Sequence, residues 1–228
     1  MPDFVCTDRR DCDKSIRGGA MLWRNDNPAS AVCSVGFTAR NAADERFVYT
    51  AGHCSNGTDV QWGIGLTTDG RIGPMVAGVD FEELDASFIR VEKPRYAGQP
   101  GGSLFLNGGD FKVDVDAVAS SLGALVAGDR VCLAANFQDP TGPNSCGVLG
   151  TSSDPAVRGM ARVDGLDACP GDSGGSWYQK ETGSPDRVAY GLHSRSNTGC
   201  RVAGGESWFS PLPTITAAFT PDLTVEVK

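Results

Sequence analysis

Cys169-Pro170-Gly171-Asp172-Ser173-Gly174-Gly175 is the stretch of this 228-residue chain from which the rest can be read. A serine flanked by glycines sits on a tight turn that a substrate can approach closely. Glycine tolerates positive φ there and has no side chain to block the way. Such a turn also aims successive N–H groups at one point, which is what holding an oxyanion requires. The same residues suit a plain Gly-rich surface turn, so the motif needs a second signal. Thr50-Ala51-Gly52-His53-Cys54 supplies it, directly after the strand-like Phe47-Val48-Tyr49. The chain has only two histidines, and this one ends a strand beside a cysteine.

Around these motifs the apolar runs are short. Val32 to Thr38, Phe47 to Thr50, Ser87 to Val91, Arg130 to Ala134 and Arg187 to Leu192 each read as a strand. Turn signals separate them at Asn56-Gly57, Asp69-Gly70, Asn107-Gly108-Gly109 and Thr141-Gly142-Pro143. Thirty glycines, thirteen prolines and no long 3.6-period segment predict a sandwich or barrels, not α/β. Leu212 to Phe219 is the one helical candidate, and Leu223 to Val227 alternates as a closing strand. Pro94 to Asp110 reads as the connection between two barrel-like halves. The length suffices for one large all-β unit or two small cores.

Twenty-eight acids against twenty bases give a net charge of -8. That balance argues against nucleic acid or an anionic membrane as partner. No apolar run approaches the length of a membrane-spanning helix. Met1 to Phe4 has neither the basic nor the apolar segment of an export signal, so an exported protein is expected to have lost it. Eight cysteines stand at Cys6, Cys12, Cys33, Cys54, Cys132, Cys146, Cys169 and Cys200, with no Cys-x-x-Cys pair. Four disulfides in an oxidising, extracellular compartment are therefore expected, with no metal site and no cofactor.

The chain resembles the chymotrypsin-like serine proteases, specifically the bacterial streptogrisin and alpha-lytic protease branch. The resemblance runs from about Ile16 to the C-terminus. It is carried by Ile16-Arg17-Gly18-Gly19, Cys33-Ser34-Val35-Gly36-Phe37, Thr50 to Cys54 and Asp85-Ala86-Ser87-Phe88-Ile89-Arg90. In the second half it is carried by Arg130-Val131-Cys132, Cys146-Gly147, Cys169 to Gly175, Gly191-Leu192-His193-Ser194 and Phe209-Ser210-Pro211-Leu212. The order His, Asp, Ser is the family's, and differs from the order of an α/β-hydrolase. The resemblance implies two six-stranded antiparallel β-barrels with a short C-terminal helix. Residues 1–15 would form an N-terminal extension, 16–100 the barrel carrying His53 and Asp85, and 101–228 the barrel carrying Ser173 and the specificity pocket.

In that family Ser173 is the nucleophile, His53 the base and Asp85 the acid that orients it. Asp80, Glu82 and Glu83 crowd the same stretch; Asp80 is the reserve for the acid, and the two glutamates read as solvated loop. The N–H groups of Gly171 and Ser173 would bind the oxyanion. The implied disulfides are Cys33–Cys54, Cys132–Cys146 and Cys169–Cys200, which leaves Cys6 and Cys12 to close a loop in the extension. Protein or peptide substrates are the expected partners, with a pro-domain or a protein inhibitor beside them.

Two features depart from the pattern. Fifteen residues precede Ile16, so its amino group is not free to pair with Asp172 as in trypsin-type enzymes. The streptogrisin branch pairs that acid with an arginine just after the cysteine of the third bridge. Leu133 stands there, and Arg130 is the substitute on offer. The specificity pocket is divided as well. Asp167 lies six residues before Ser173, at the place of the acid that gives trypsins their Lys/Arg preference. His193 and Ser196 stand where glutamyl-specific members bind a carboxylate. Ser194 adjoins them and resembles the serine that hydrogen-bonds the catalytic acid. Glu206 and Arg195 read as surface charge. The expectation is a secreted endopeptidase cleaving after Lys or Arg, with glutamyl or broad specificity as the alternative. A catalytically silent, protease-like binding protein is the alternative of another class.

Overall fold

A computed structural model describes residues 8–10, 12–24, 32–55, 59–65, 70–81, 84–105, 112–137, 146–150, 159–180, 187–197, 200, 204–219 and 223–228. The first half forms β1 (Met21–Arg24), β2 (Val32–Ser34), β3 (Thr38–Arg40), β4 (Arg46–Thr50), β5 (Gln61–Ile64), β6 (Arg71–Phe81) and β7 (Leu84–Arg90). Helix α1 (Pro94–Ala97) and strands β8 (Ser103–Phe105) and β9 (Lys112–Asp114), which pair with each other, lead onward. The second half forms β10 (Ala117–Val118), β11 (Arg130–Ala134), β12 (Cys146–Leu149), β13 (Ala161–Asp164), β14 (Ser176–Lys180), β15 (Arg187–Ser196) and β16 (Glu206–Pro211). Helix α2 (Leu212–Phe219) and β17 (Thr224–Val225) follow.

In the second half the strands close on themselves. The order β15-β14-β11-β12-β13-β16 returns to β15 because β16 also pairs with β15, and β10 is added parallel to β15. The first half is one curled sheet of order β17-β3-β4-β7-β6-β5-β1-β2. β2, at one end, and β3, next to β17 at the other, are successive stretches of one segment. At Val35 that segment still bonds the β1 side, through Ala20 O at 2.8 Å. At Gly36 it changes partner and bonds Tyr49 O of β4, also at 2.8 Å. That change of partner is why Val32 to Thr38, expected as one strand, divides into two. A β-carbon on Gly36 would lie 2.7 Å from the Gly174 carbonyl, so the switch point also lets the two halves approach.

Each half has its own apolar centre, and a third lies between them. Leu22, Trp62, Ile64, Met75 and Ile89 fill the first, and Val131, Leu133, Trp177, Tyr190 and Phe209 the second. Between the halves Tyr49, Ala86 and Phe88 meet Tyr178, Leu192, Leu212 and Ile215. Helix α2 is the element that seals this seam. Pro213 is tolerated in its first turn, and Leu212, Ile215 and Phe219 repeat at helical spacing on one face. Phe219 meets Phe88 edge to face, with ring centroids 4.6 Å apart.

The expected helix agrees with α2, and β11 agrees with Arg130 to Ala134. The closing strand is shorter than expected, Thr224–Val225 on β3. Cys33–Cys54, Cys132–Cys146 and Cys169–Cys200 are bonded. Cys12 is disulfide-bonded as well, while Cys6 lies outside the described residues. So do Asn56-Gly57, Asp69, Asn107 to Gly109, Thr141 to Pro143, Glu82 and Glu83.

The C-terminal strand holds the first barrel by charge. The Arg46 side chain is fully buried; its Nε donates to Glu226 Oε2 at 2.9 Å and its Nη1 to Tyr96 O at 2.6 Å. Arg40 Nε donates to the other Glu226 oxygen at 2.9 Å. Removing one member of a buried pair strands the other without compensation. Glu226→Ala is therefore expected to lower stability by about 3 kcal/mol in urea unfolding. A change below about 0.5 kcal/mol, the level of a surface substitution, would contradict this assignment.

Candidate active site

The serine loop is built from two consecutive turns. Asp172 N–H donates to Cys169 O at 2.9 Å, with Gly171 at φ +96. Gly175 N–H donates to Asp172 O at 2.9 Å, with Gly174 at φ +83. A glycine of positive φ at the third position of each turn is the type II pattern, and Pro170 suits the second position of the first. A β-carbon on Gly171 would strike the Phe137 ring, and one on Gly174 would strike Thr50 Oγ1. Among the described residues, neither the Gly171 nor the Ser173 N–H donates to a backbone carbonyl.

Ser34 fastens this loop to the first half. Its N–H donates to Ser173 O at 2.7 Å and its Oγ to Gly171 O at 2.9 Å, while its own carbonyl accepts from Thr50 Oγ1 at 2.9 Å. Thr50 ends β4, and the single-turn helix Gly52–Cys54 that follows carries His53. Gly52 must be glycine, because a β-carbon would run into the Val79 carbonyl. The Cys33–Cys54 bridge ties this turn back to β2.

Asp85, in β7, has no exposed surface. Its Oδ1 accepts from the His53 N–H at 2.8 Å. Its Oδ2 is 2.7 Å from His53 Nδ1 and accepts from Ser194 Oγ at 2.6 Å. Its own N–H donates to Ser210 Oγ at 2.8 Å. An ionised carboxylate only accepts, so Nδ1 carries the proton and Nε2 is left with its lone pair. Ser173 Oγ lies 2.7 Å from that Nε2. The His53 ring is 38% exposed, so the serine end of the line is open to an incoming molecule.

Burial pulls the His53 pKa down, but the hydrogen bond and charge of Asp85, with a smaller push from Asp80, outweigh it and leave the pKa raised. Burial pushes the Asp85 pKa up, and His53 and Ser194 overcome that, so it ends below the usual carboxylate range. Asp80 stands opposite Asp85 across the β6–β7 hairpin and is exposed. The possible ligand atoms of His53, Asp80 and Asp85 lie within 4.8 Å of one another. Since His53 and Asp85 already bond each other, a cation there would have to break that line.

The remaining sequence-derived candidates fall in two places. Ser194 is committed to Asp85. Asp167 is buried, at 8% exposure, and its segment is fixed between β15 and β16. Ser196 Oγ accepts from Ala168 N–H at 3.1 Å and lies 2.9 Å from Ser207 Oγ, which in turn donates to Leu166 O at 2.8 Å. His193 is buried, and Trp177 Nε1 donates to its Nδ1 at 3.4 Å. Burial, reinforced by His53 and opposed by Asp85, pushes its pKa down to about 3, so it is neutral. Its backbone also steadies the serine loop, accepting from Gly174 N–H at 2.7 Å and donating to Gly175 O at 2.8 Å. Glu206 bonds Asn197 at 2.8 Å and faces Arg162 at 3.4 Å, and Arg195 is exposed.

Asp172, 2% exposed, accepts from Phe137 N–H at 2.7 Å and from Cys169 N–H at 2.8 Å. The Arg130 expectation is corrected here. Arg130 is exposed at the head of β11, and no contact joins it to Asp172 among the described residues. Sequence reasoning also missed Ser34 and Ser210. The only signal for either was its place inside a family-like block, next to Cys33 and Phe209.

No protein-family model and no curated protein sequence matches the chain. Solved structures do. A Nocardiopsis protease superposes with a TM-score of 0.69 at 25% identity, covering 93% of this chain and 100% of its own. An alpha-lytic protease homolog, N4, gives 0.65 at 25% identity, with 90% and 97% covered. A glutamic-acid-specific serine protease, described as using a histidine triad in substrate binding, gives 0.66 at 24% identity, with 92% and 100% covered. The chain thus has the chymotrypsin-like double-barrel fold and resembles bacterial serine proteases of the streptogrisin and alpha-lytic branch.

The charges around His53 set its titration. Asp80→Asn removes a charge that raises the His53 pKa, and Arg195→Gln removes one that lowers it. NMR titration of the ring is expected to give a lower pKa in the first variant and a higher one in the second. A shift of the same sign in both would contradict this field.

Proposed function

We propose that the chain is a secreted serine endopeptidase whose reaction runs on Ser173, His53 and Asp85. The reading rests on one observation above all: the unbroken line from Asp85 Oδ2 through the His53 ring to Ser173 Oγ, with both links at 2.7 Å. A serine hydroxyl is a weak nucleophile until a base takes its proton as it attacks. Neutral His53 does this at Nε2, and Asp85 stabilises the imidazolium that results. Ser173 Oγ bonds to the scissile carbonyl carbon, and the carbonyl oxygen becomes an anion. The Gly171 and Ser173 N–H groups, which donate to no backbone carbonyl among the described residues, receive it; one such donor is worth about 3 kcal/mol of barrier in related sites.

The tetrahedral intermediate then collapses. His53 returns the proton to the leaving amine, the C–N bond breaks, and Ser173 keeps the acyl group. Water, deprotonated by the same ring, releases the acid by the same steps in reverse. Because His53 must be neutral to begin, activity rises as pH climbs through its raised pKa. Disulfides at the described cysteines support an oxidising compartment and hence secretion.

Cleavage after Lys or Arg is the preference favoured. Asp167 is a buried carboxylate on the segment fixed by Ser196 and Ser207, and a buried carboxylate favours a cationic side chain. The glutamic-acid-specific neighbour is described as binding substrate through three histidines. This chain has two in all, and one of them is His53. The neutral, buried His193 alone is a poor carboxylate receptor.

Ser173→Ala and His53→Ala are each expected to cut peptide hydrolysis by at least about 10⁴-fold with the fold unchanged. Undiminished turnover in either would end the assignment. Profiling on a mixed peptide library is expected to show cleavage after Lys and Arg, and Asp167→Ser to lower kcat/KM for those sites by roughly 100-fold. A preference for Glu, or one that survives Asp167→Ser, would sink the pocket reading and leave the peptidase standing.

A further inference from the structure

A buried arginine from the N-terminal extension stands beside the acid next to the nucleophile. Arg9 is 2% exposed, and its Nη1 donates to Ala135 O at 2.5 Å. Two residues along the same segment, Phe137 N–H donates to Asp172 Oδ1 at 2.7 Å. One short stretch of backbone therefore carries the guanidinium at one end and the carboxylate at the other. Arg9 Nε and Nη2 are buried without a hydrogen-bond partner among the described residues, so an opposite charge nearby is what can balance them. Burial lowers the Arg9 pKa, and Asp172 opposes this more strongly than any other group, Asp8 included.

We propose that Arg9 is the positioning residue for Asp172, and that the segment before Ile16 is thereby a working part of the active site. The inference rests on the serine-peptidase reading and extends it to how the site is kept in shape. Asp172 is the hinge of both turns in the serine loop. Its N–H closes the first, its carbonyl closes the second, and its side chain holds Phe137 and Cys169. With a cation opposite, the carboxylate stays charged and inward, and the Gly171 and Ser173 N–H groups stay aimed outward. Without it, the buried charge loses its opposing cation, and turning out to water becomes favourable. The two turns would go with it.

The extension is fastened well enough to deliver that side chain. Met21 N–H donates to Arg9 O at 3.1 Å. Tyr96 Oη donates to Asp13 O at 2.6 Å, and Gln99 Nε2 to Lys14 O at 2.8 Å. Cys12 and Ile16 are packed into the core of the first barrel. Ile16 is thus occupied as a core residue inside the chain, and the cation comes from further upstream. Docking of this segment and competence of the oxyanion donors become one event.

The test compares Arg9→Gln and Arg9→Lys with the unaltered full chain, each checked for folding by circular dichroism and thermal unfolding. Peptide hydrolysis gives kcat and KM. A peptide boronate, whose tetrahedral adduct needs the oxyanion donors, gives a transition-state-like affinity. Arg9→Gln is expected to lower kcat by roughly 100-fold, on the scale of a lost oxyanion donor, with KM within about twofold. Boronate affinity should fall in parallel. Arg9→Lys, or methylguanidinium added to Arg9→Gln, should restore part of both. A folded Arg9→Gln with kcat and boronate affinity within about twofold of the parent overturns the proposal. So does a loss that neither lysine nor methylguanidinium relieves, since that marks packing alone. Absence of hydrolysis by the unaltered protein would instead fell the peptidase reading.

Discussion

A carboxylate with no contact to water must find every hydrogen bond inside the protein, and Asp85 finds them in both halves of the molecule. His53, from the turn after β4, donates twice, once from its backbone and once from its ring. Ser194, from β15, donates from across the seam. These three bonds answer the large cost of burying the charge. They also fix the ring in one tautomer and one orientation. Everything at the serine end follows from that: Nε2 has a defined lone pair, and Ser173 Oγ has a defined place to send its proton.

The seam between the halves is consequently where the chemistry is assembled, and its apolar and polar parts share the work. Tyr49, Phe88, Tyr178, Leu192 and α2 hold the halves together without direction. Direction comes from a few side chains that cross. Ser34 grips the serine loop and is gripped by Thr50; Ser176 Oγ donates to Gly36 O at 2.6 Å; Ser210 and Ser194 flank Asp85. A shift of one half against the other breaks several of these at once. Glycines at positions 36 and 174 are required because the two halves approach too closely there for a β-carbon, and Gly52 because the Val79 carbonyl of its own half does the same.

Local chemistry was readable in the amino-acid order, and distant pairing was not. The turns at Cys169 to Gly175 depend on proline and glycine placed at fixed offsets, which a sequence displays directly. The strand before His53 and the helix at Leu212 were readable for the same reason. The acid was harder, because Asp80 and Asp85 face each other across a hairpin, and burial is what separates them. The partner of Asp172 could not be read at all. Arg9 lies in an extension to which the family resemblance does not reach, and nothing local distinguishes it from Arg10, which is exposed and paired with Asp8. Ser196 was expected as a pocket residue, and its bond to Ala168 could not be read, since it depends on the register of β15 against β16.

The line from Asp85 to Ser173 sets one hydroxyl apart among the described residues, and a reagent that recognises that difference tests it most directly. Treating the folded protein with a fluorophosphonate and mapping the product by mass spectrometry should give a single adduct, on Ser173, that disappears on denaturation before labelling and in His53→Ala. A folded protein that takes no label, or takes it elsewhere with Ser173 unmodified, would contradict the account.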